Sequence, residues 1–172
     1  MPKKLKTPER IWLVKTEPDV FSIEDLEKRG REGWDGVRNY QARNTLRDEM
    51  QPGDPVLVYH SSCAVPGAVG LARVDSAALP DPSQFDPGSD YHDPKSDPQA
   101  PRWWLREFAF VERFPETVTL SQMKDWEGMD DFLLLRRGNR LSVLPLTEHE
   151  FDTIVRLADA KKPRGKKQRS TQ

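Results

Sequence analysis

The apolar positions of this 172-residue chain fall into short runs with two different periods. The run Arg10–Glu17 alternates, placing Ile11, Leu13, Lys15 and Glu17 on one face and Trp12, Val14 and Thr16 on the other, and it stops at Pro18. That pattern predicts a buried strand. Pro55–Ser61, PVLVYHS, predicts a second strand after a turn at Gln51–Asp54. Gly67–Leu79 predicts a third, in which the glycines at 67 and 70 mark a bulge or a close approach of backbone. Trp103–Phe114 reads as a central strand, with Trp104, Phe108, Phe110 and Phe114 on one side and Trp103, Leu105 and Ala109 on the other. Trp12 and Trp104 are assigned to the core. Asn139–Leu146 supplies the last strand, after a Gly138-Asn139 turn.

Between these runs the period lengthens to that of helices. Ser22 with Asp25 forms a capping-box start, and Gly30 a stop. Asn39 is an N-cap for a helix to about Met50, with Ala42, Leu46 and Met50 on one side. Thr119 and Gln122 start a helix through about Lys124, Met129–Leu135 a second short one, and Thr147 with Glu150 a last one bearing Phe151, Ile154, Val155 and Ala158. Residues 80–101 hold six prolines and five aspartates, so neither helix nor ladder is expected to persist in that long loop, whose length fits a lid or binding loop. Five to six strands with short helices packed around them, and no regular strand–helix alternation, predict a small mixed β-barrel of the α+β class.

Composition refines this picture in three ways. The length suits one compact domain, set at residues 10–160 between a basic lead-in at 1–9 and a basic, disordered tail at 161–172. The net charge of -1 conceals a split: the tail holds six Lys or Arg and no acid, leaving residues 1–160 with 21 bases against 28 acids, a net of -7. An acidic body argues against strong nonspecific binding to duplex DNA, and the tail reads as a solvated end, with a phosphate-binding arm as the alternative. The one cysteine, Cys63, excludes an internal disulfide and a Cys-based zinc cluster; it fits a reducing compartment, and cytoplasm is the expected location. No apolar run approaches the ~18 residues of a membrane span, so no membrane partner is expected.

Candidate chemistry concentrates in Trp34–Arg43, WDGVRNYQAR, where aromatic, amide and guanidinium groups surround a glycine turn at a helix start. Trp34 and Tyr40 offer flat apolar faces, Asn39 a paired donor and acceptor, Arg38 and Arg43 forked cations suited to phosphate or to stacking. That inventory suits a nucleobase. Each residue also has a plainer reading. Trp34 fits a half-buried loop aromatic, Asn39 a helix cap, Lys15 and Glu17 a surface pair, and Arg140 and Ser142 partners of turn carbonyls. His60 has no second ligand at metal spacing, so neither a metal nor any other cofactor is implied.

Five ordered blocks then carry a family resemblance: WLVKTEP, WDGVRNYQARN, GDPVLVYHS, PRWW and RRGNRLSVLPL, spanning residues 11 to about 155. Together they resemble the EVE domain, the family of the thymocyte nuclear protein and its bacterial relatives. The resemblance implies a PUA-like barrel related to ASCH domains and to YTH domains, which hold methylated adenine in an aromatic cage. In that kinship Lys15 and Thr16 resemble a Lys-Ser pair on the first YTH strand, Trp34 a cage tryptophan, and Asn39 an asparagine facing the base. Tyr59, His60 and Ser61 resemble the segment closing the pocket, and Trp103 lies near the second cage tryptophan. Phosphate contacts are expected from Arg38, Arg43, Arg140 or the tail.

The expected function is a nucleic-acid binding module, a monomer and not an enzyme, that recognises a modified or flipped-out base, such as methylated cytosine or adenine, in DNA or RNA. Two alternatives stand beside it. One is an ASCH-like amidohydrolase using Lys15, Thr16 and Glu17 on a modified nucleoside, against which the alternation of strand faces separates Lys15 from Thr16. The other is a protein-interaction domain using the acidic surface.

Overall fold

The computed structural model describes residues 10–160, so the basic lead-in and the basic tail lie outside the described residues. In chain order the elements are β1 (Ile11–Thr16), α1 (Ile23–Arg29), β2 (Arg31–Gly33), α2 (Tyr40–Asn44), β3 (Pro55–His60), β4 (Gly67–Val74), β5 (Leu79–Pro80), β6 (Trp104–Leu105), β7 (Glu107–Thr119), α3 (Leu120–Lys124), β8 (Val143–Leu146) and α4 (Glu148–Ala160). Six strands form one sheet in the order β2-β7-β4-β3-β1-β8, and β5 pairs with β6 in a separate ribbon. Only β1 and β3 are parallel; the other ladders are antiparallel. The sheet curls into a half-barrel flanked by short helices, an α+β architecture of the PUA-like kind.

Both faces of this sheet are covered, which is why its central strands read as nearly continuous apolar runs. Trp12 and Val14 of β1 and Val56 and Val58 of β3 share one core with Leu26 of α1 and Ala42 and Leu46 of the second helical segment. Ile11, Leu13, Leu57 and Tyr59 point the other way, into a second core closed by Met123, Phe132, Ile154 and Ala158. The period-two alternation therefore translates directly into two cores on opposite faces.

The capping signals hold in detail. Ser22 and Asp25 exchange reciprocal hydrogen bonds at the start of α1, and Gly30 ends it with φ +75°. Thr119 and Gln122 do the same for α3, and Thr147 and Glu150 for α4.

Several boundaries differ, each for a visible reason. The helix starting at Asn39 stays α-helical only through Asn44 and widens to a π-helical turn over Thr45–Glu49. Buried Arg106 reaches across to the carbonyl oxygens of Leu46 (2.6 Å), Arg47 (3.3 Å) and Met50 (2.6 Å), satisfying acceptors that such an ending would orphan. Arg106 also interrupts the predicted Trp103–Phe114 strand, dividing it into β6 and β7. Within β7 the partner of Leu71 is Glu112 and that of Ala72 is Phe110, so one extra residue bulges out. The bulge reverses facing, placing Phe108 in the first core and Phe114 in the second although both lie at even positions.

Trp103 is buried and Trp104 half-buried, the reverse of the expected assignment. Strand β2, too short for any period to show, was not expected. Residues 129–135 form a 3-10 turn only at Leu133–Leu135, and β8 begins four residues later than predicted.

The glycines in β4 are required by close backbone approach. A Cβ on Gly67 would lie 2.3 Å from the Val118 carbonyl oxygen, and one on Gly70 2.4 Å from that of Glu112. Gly70→Ala therefore forces β4 and β7 apart and should lower stability by about 1–3 kcal/mol, as overpacking does. A urea-unfolding midpoint equal to that of the parent protein would contradict this close packing.

Candidate functional site

The parallel strands β1 and β3 end side by side, and their ends open into a cavity of about 710 Å³. That volume lies within the usual range for ligand pockets of roughly 300–1,000 Å³. Lys15, Thr16 and Glu17 line it from the end of β1, Ser61 and Ser62 from the end of β3, and Arg140 and Ser142 from the approach to β8. Backbone bonds fix these ends together: Lys15 N–H donates to Ser142 O (2.9 Å) and Ser61 N–H to Thr16 O (3.0 Å). The Thr16 hydroxyl donates to Phe21 O (2.7 Å), tying in the segment before α1 that contributes Val20 and Phe21. Arg29, Glu32–Asn39 and Tyr91 complete the wall.

The wall is held by one buried carboxylate. Asp81 is fully buried, and its oxygens accept from Gly36 N–H (2.9 Å), Arg38 Nη1 (2.9 Å), Ser83 N–H (2.8 Å) and Ser83 Oγ (2.5 Å). Burial alone would raise its pKa; the hydrogen bonds from Ser83, Gly36 and Arg38 outweigh that and hold it below the usual carboxylate value. Gly36, at φ +78°, lets the Tyr91 ring lie where a Cβ would come within 2.6 Å of it. The Arg38 guanidinium lies between the Tyr91 and Trp103 rings, 5.6 and 5.2 Å from their centroids, and donates to Tyr91 O and Ser83 Oγ. Trp103 in turn stacks on Tyr40 at 4.8 Å, with Arg43 over the Tyr40 ring at 4.7 Å. The 80–101 segment is thus ordered and clamped to the cavity wall. It contains a 3-10 turn at Pro82–Phe85, and its first residue, Pro80, belongs to β5, so the expectation of no helix or ladder there needs that correction. Buried Gln84 bonds three backbone groups at 102–103 and fastens the loop's far end.

Eight of the residues singled out from sequence come together around the cavity: Lys15, Thr16, Trp34, Arg38, Asn39, Ser61, Arg140 and Ser142. Trp34 is 8% exposed, packed edge-on to Phe21 (5.8 Å, 89°) and tilted on Phe108 (5.2 Å, 48°). Most of both its faces is therefore core. Its Nε1 has no hydrogen-bond acceptor among the described residues, and Trp34 is one of the residues lining the cavity. Asn39 does cap α2, its Oδ1 accepting from Ala42 N–H (3.0 Å), which leaves its NH2 group for the cavity. Partial burial lowers the pKa of the Lys15 ammonium, which makes no hydrogen bond or ion pair among the described residues. Asp35 is pushed the other way, first by desolvation and then by the negative charges of Asp81 and Glu32. Lys15 and Thr16 both reach the cavity because it meets the end of β1 and not one face, so alternation does not separate them.

The structure places three expected residues elsewhere. Tyr59 lies in the second core, where burial pushes its hydroxyl pKa up to about 12. His60 sits beneath α1, its Nε2 accepting from Ile23 N–H (3.1 Å), and burial lowers its pKa. Trp103 lies behind Arg38, its Nε1 donating to Asp93 (2.8 Å), and does not line the cavity. Conversely, Phe21, Glu32, Ser62 and Tyr91 line it without having been expected. Ser62 has φ +53°, a conformation no sequence pattern announced. Tyr91 was visible only as one of two aromatics, with Phe85, in a polar loop. Among the described residues no three His, Cys, Asp or Glu side chains form a metal-binding group, and no helix is long and apolar enough to cross a membrane.

The sequence model of the EVE domain matches residues 10–157. The chain belongs to the EVE domain family. Thymocyte nuclear protein 1 of Homo sapiens is 36% identical over 173 residues, covering 90% of this chain and 76% of that protein. The crystal structure of the human THYN1 protein in complex with 5-methylcytosine containing DNA is 36% identical, with a TM-score of 0.83 over 90% of this chain and 100% of that one. A protein of Pseudomonas putida is 46% identical, with a TM-score of 0.83 over 86% of this chain and 99% of its own. The expected cytoplasmic location is contradicted by the relatives from human, mouse and rat, which are named as nuclear proteins. Nucleus and cytosol are both reducing, so a single cysteine does not distinguish them.

Asp81→Asn should release the loop from the cavity wall and destabilise the EVE domain by about 3 kcal/mol, the cost of leaving a buried partner unpaired. Because the folded-state pKa of Asp81 is depressed, its contribution is complete above the ordinary carboxylate pKa and is lost as pH falls through the folded value. Urea midpoints measured from pH 7 downward should therefore fall less steeply in Asp81→Asn than in the parent; parallel pH profiles would contradict this role.

Proposed function

We propose that this EVE domain binds DNA and holds one extruded, modified cytosine in the cavity at the ends of β1 and β3. The observation that carries the reading is a cavity of about 710 Å³ that combines aromatic groups with uncommitted polar ones. Phe21, Trp34 and Tyr91 provide apolar edges and faces, and the Trp34 Nε1, the Asn39 NH2 group and the Lys15 ammonium provide donors. Such a set fits a flat heterocycle whose edge presents acceptors, as cytosine does at O2 and N3. The complex of the human relative with DNA containing 5-methylcytosine supports choosing DNA and a methylated cytosine.

In this reading Trp34 offers an edge to the base and not a full stacking platform, and Tyr91, exposed over Gly36, supplies the stacking face. Stacking on an aromatic ring contributes about 1–3 kcal/mol without distinguishing bases. A methyl in an apolar slot adds roughly 1–3 kcal/mol of discrimination. Extrusion from the duplex costs a few kcal/mol, so a preference of about tenfold to a hundredfold for the methylated base is expected. Thr16, Ser61 and Ser142 shape the floor, and Tyr59, His60 and Trp103 support the strands and the Arg38 clamp from outside the cavity.

The test is a fluorescence-anisotropy titration of the intact chain with labelled duplexes containing cytosine or 5-methylcytosine at one position. The parent should prefer the methylated duplex, and Tyr91→Ala, an exposed change, should weaken binding to it about fivefold or more, the lower end of a stacking contribution. Trp34→Phe, which keeps an aromatic ring in the core but removes the indole N–H, should lose a donor and part of the preference. Equal binding of both duplexes by the parent would sink the proposal.

A further inference from the structure

Most arginines of the described domain are already committed. The guanidiniums of Arg29, Arg31, Arg38, Arg47, Arg73 and Arg113 each lie within 4 Å of a carboxylate. Arg43 and Arg106 donate to backbone carbonyls. Two of the three arginines expected from sequence to meet phosphate, Arg38 and Arg43, are therefore held in internal work, and the third is Arg140. Arg136, Arg137 and Arg140 differ: all three are exposed, and none makes a side-chain hydrogen bond or ion pair among the described residues. They occupy one short turn, and Arg140 lies on the rim of the cavity.

This turn is built to hold its shape. Asn139 N–H donates to Arg136 O (3.2 Å), and Gly138 takes φ +80° as the left-handed residue of the turn. The Asn139 side chain braces both sides, its Nδ2 donating to Leu133 O (2.6 Å) and its Oδ1 accepting from Leu141 N–H (2.9 Å). Leu133, Leu134, Leu135 and Leu141 pack against the second core. Three uncompensated guanidiniums on a braced turn, in a body with net charge -7 up to residue 160, concentrate positive charge beside the cavity and are well placed for an anionic partner.

We infer that the Arg136–Arg140 turn is a clamp for the phosphodiester backbone. Arg140 takes the phosphate nearest the nucleotide whose base occupies the cavity, and Arg136 and Arg137 take phosphates flanking it. The inference rests on the base-cavity reading above and adds where the strand runs: along the side of the cavity next to β8. Forked guanidiniums suit phosphate oxygens through paired N–H donors. Such contacts position the strand and carry no sequence information.

The experiment measures affinity for cytosine and 5-methylcytosine duplexes over a range of salt concentrations, for the full chain and for an Arg136→Gln, Arg137→Gln double variant. Both side chains are exposed and the turn is bonded through its backbone and Asn139, so the variant should keep the parent's thermal midpoint. The slope of log K against log salt should become shallower by roughly 0.9 for each phosphate that is no longer neutralised, about 1.8 for the pair. Affinity for the two duplexes should fall by the same factor, leaving the methyl preference unchanged. The basic tail is common to both proteins and cancels in the comparison. Unchanged slope and affinity overturn the clamp while leaving the cavity reading intact. Loss of methyl preference at unchanged slope also overturns it, by assigning these arginines to the base. A parent chain that binds no duplex overturns the cavity reading and the clamp with it.

Discussion

The buried carboxylate of Asp81 is the constraint from which the geometry of the cavity follows. An ion sealed from water must be compensated on every side, and Asp81 is met by two backbone N–H groups, a hydroxyl and a guanidinium. Satisfying it draws Gly36 and Arg38 of one segment to Ser83 of another, more than forty residues away in the chain. With these in place, the Arg38 guanidinium can sit between two aromatic rings and Tyr91 can lie over Gly36, which only a residue without a side chain permits. The proline-rich loop is thereby turned from a tether into a wall.

Charge is sorted in the same structure. Most guanidiniums within the body are matched to carboxylates or to backbone carbonyls, with Arg106 tying three carbonyl oxygens at the π-helical turn to that of Ser76. What remains uncommitted near the cavity is Lys15 inside it, Arg140 on its rim and the two arginines of the adjoining turn. A body with more acid than base can therefore still present a local cationic face, one that guides an anionic strand to one place while the rest repels it. In the proposed reading, this sorting reconciles an acidic body with the binding of one nucleotide.

Much of the fold was legible because local signals and tertiary structure agree. The alternation in β1 and β3, the capping pairs Ser22–Asp25, Thr119–Gln122 and Thr147–Glu150, and the glycines of β4 all act through near neighbours or close backbone approach, and each left a pattern in the chain. Lys15, Thr16 and Ser61, singled out through the family resemblance, line one cavity with Arg140 and Ser142, although alternation had set Lys15 and Thr16 on opposite faces. The errors came where facing is decided by distant partners. Period two carries Tyr59 and His60 along with Ser61, but the strand has left the sheet by Ser61, while Tyr59 and His60 remain under it in opposite directions. Trp103 gave no sign that Arg38 would stand in front of it. Asp81 was one of five aspartates in a polar loop, and nothing in its local sequence distinguished it from the exposed ones. Tyr91 depends on Asp81 and was hidden for the same reason.

The central claim is that the cavity takes a methylated base out of the helix, and nuclear magnetic resonance of the base itself tests it most directly. A duplex bearing 5-methylcytosine labelled with carbon-13 at the methyl group would be titrated with the unlabelled protein. A methyl enclosed by Phe21, Trp34 and Tyr91 should show a bound-state proton resonance displaced by ring currents, and that displacement should shrink in Tyr91→Ala. A bound complex in which the methyl keeps the resonance of the stacked duplex would contradict the account.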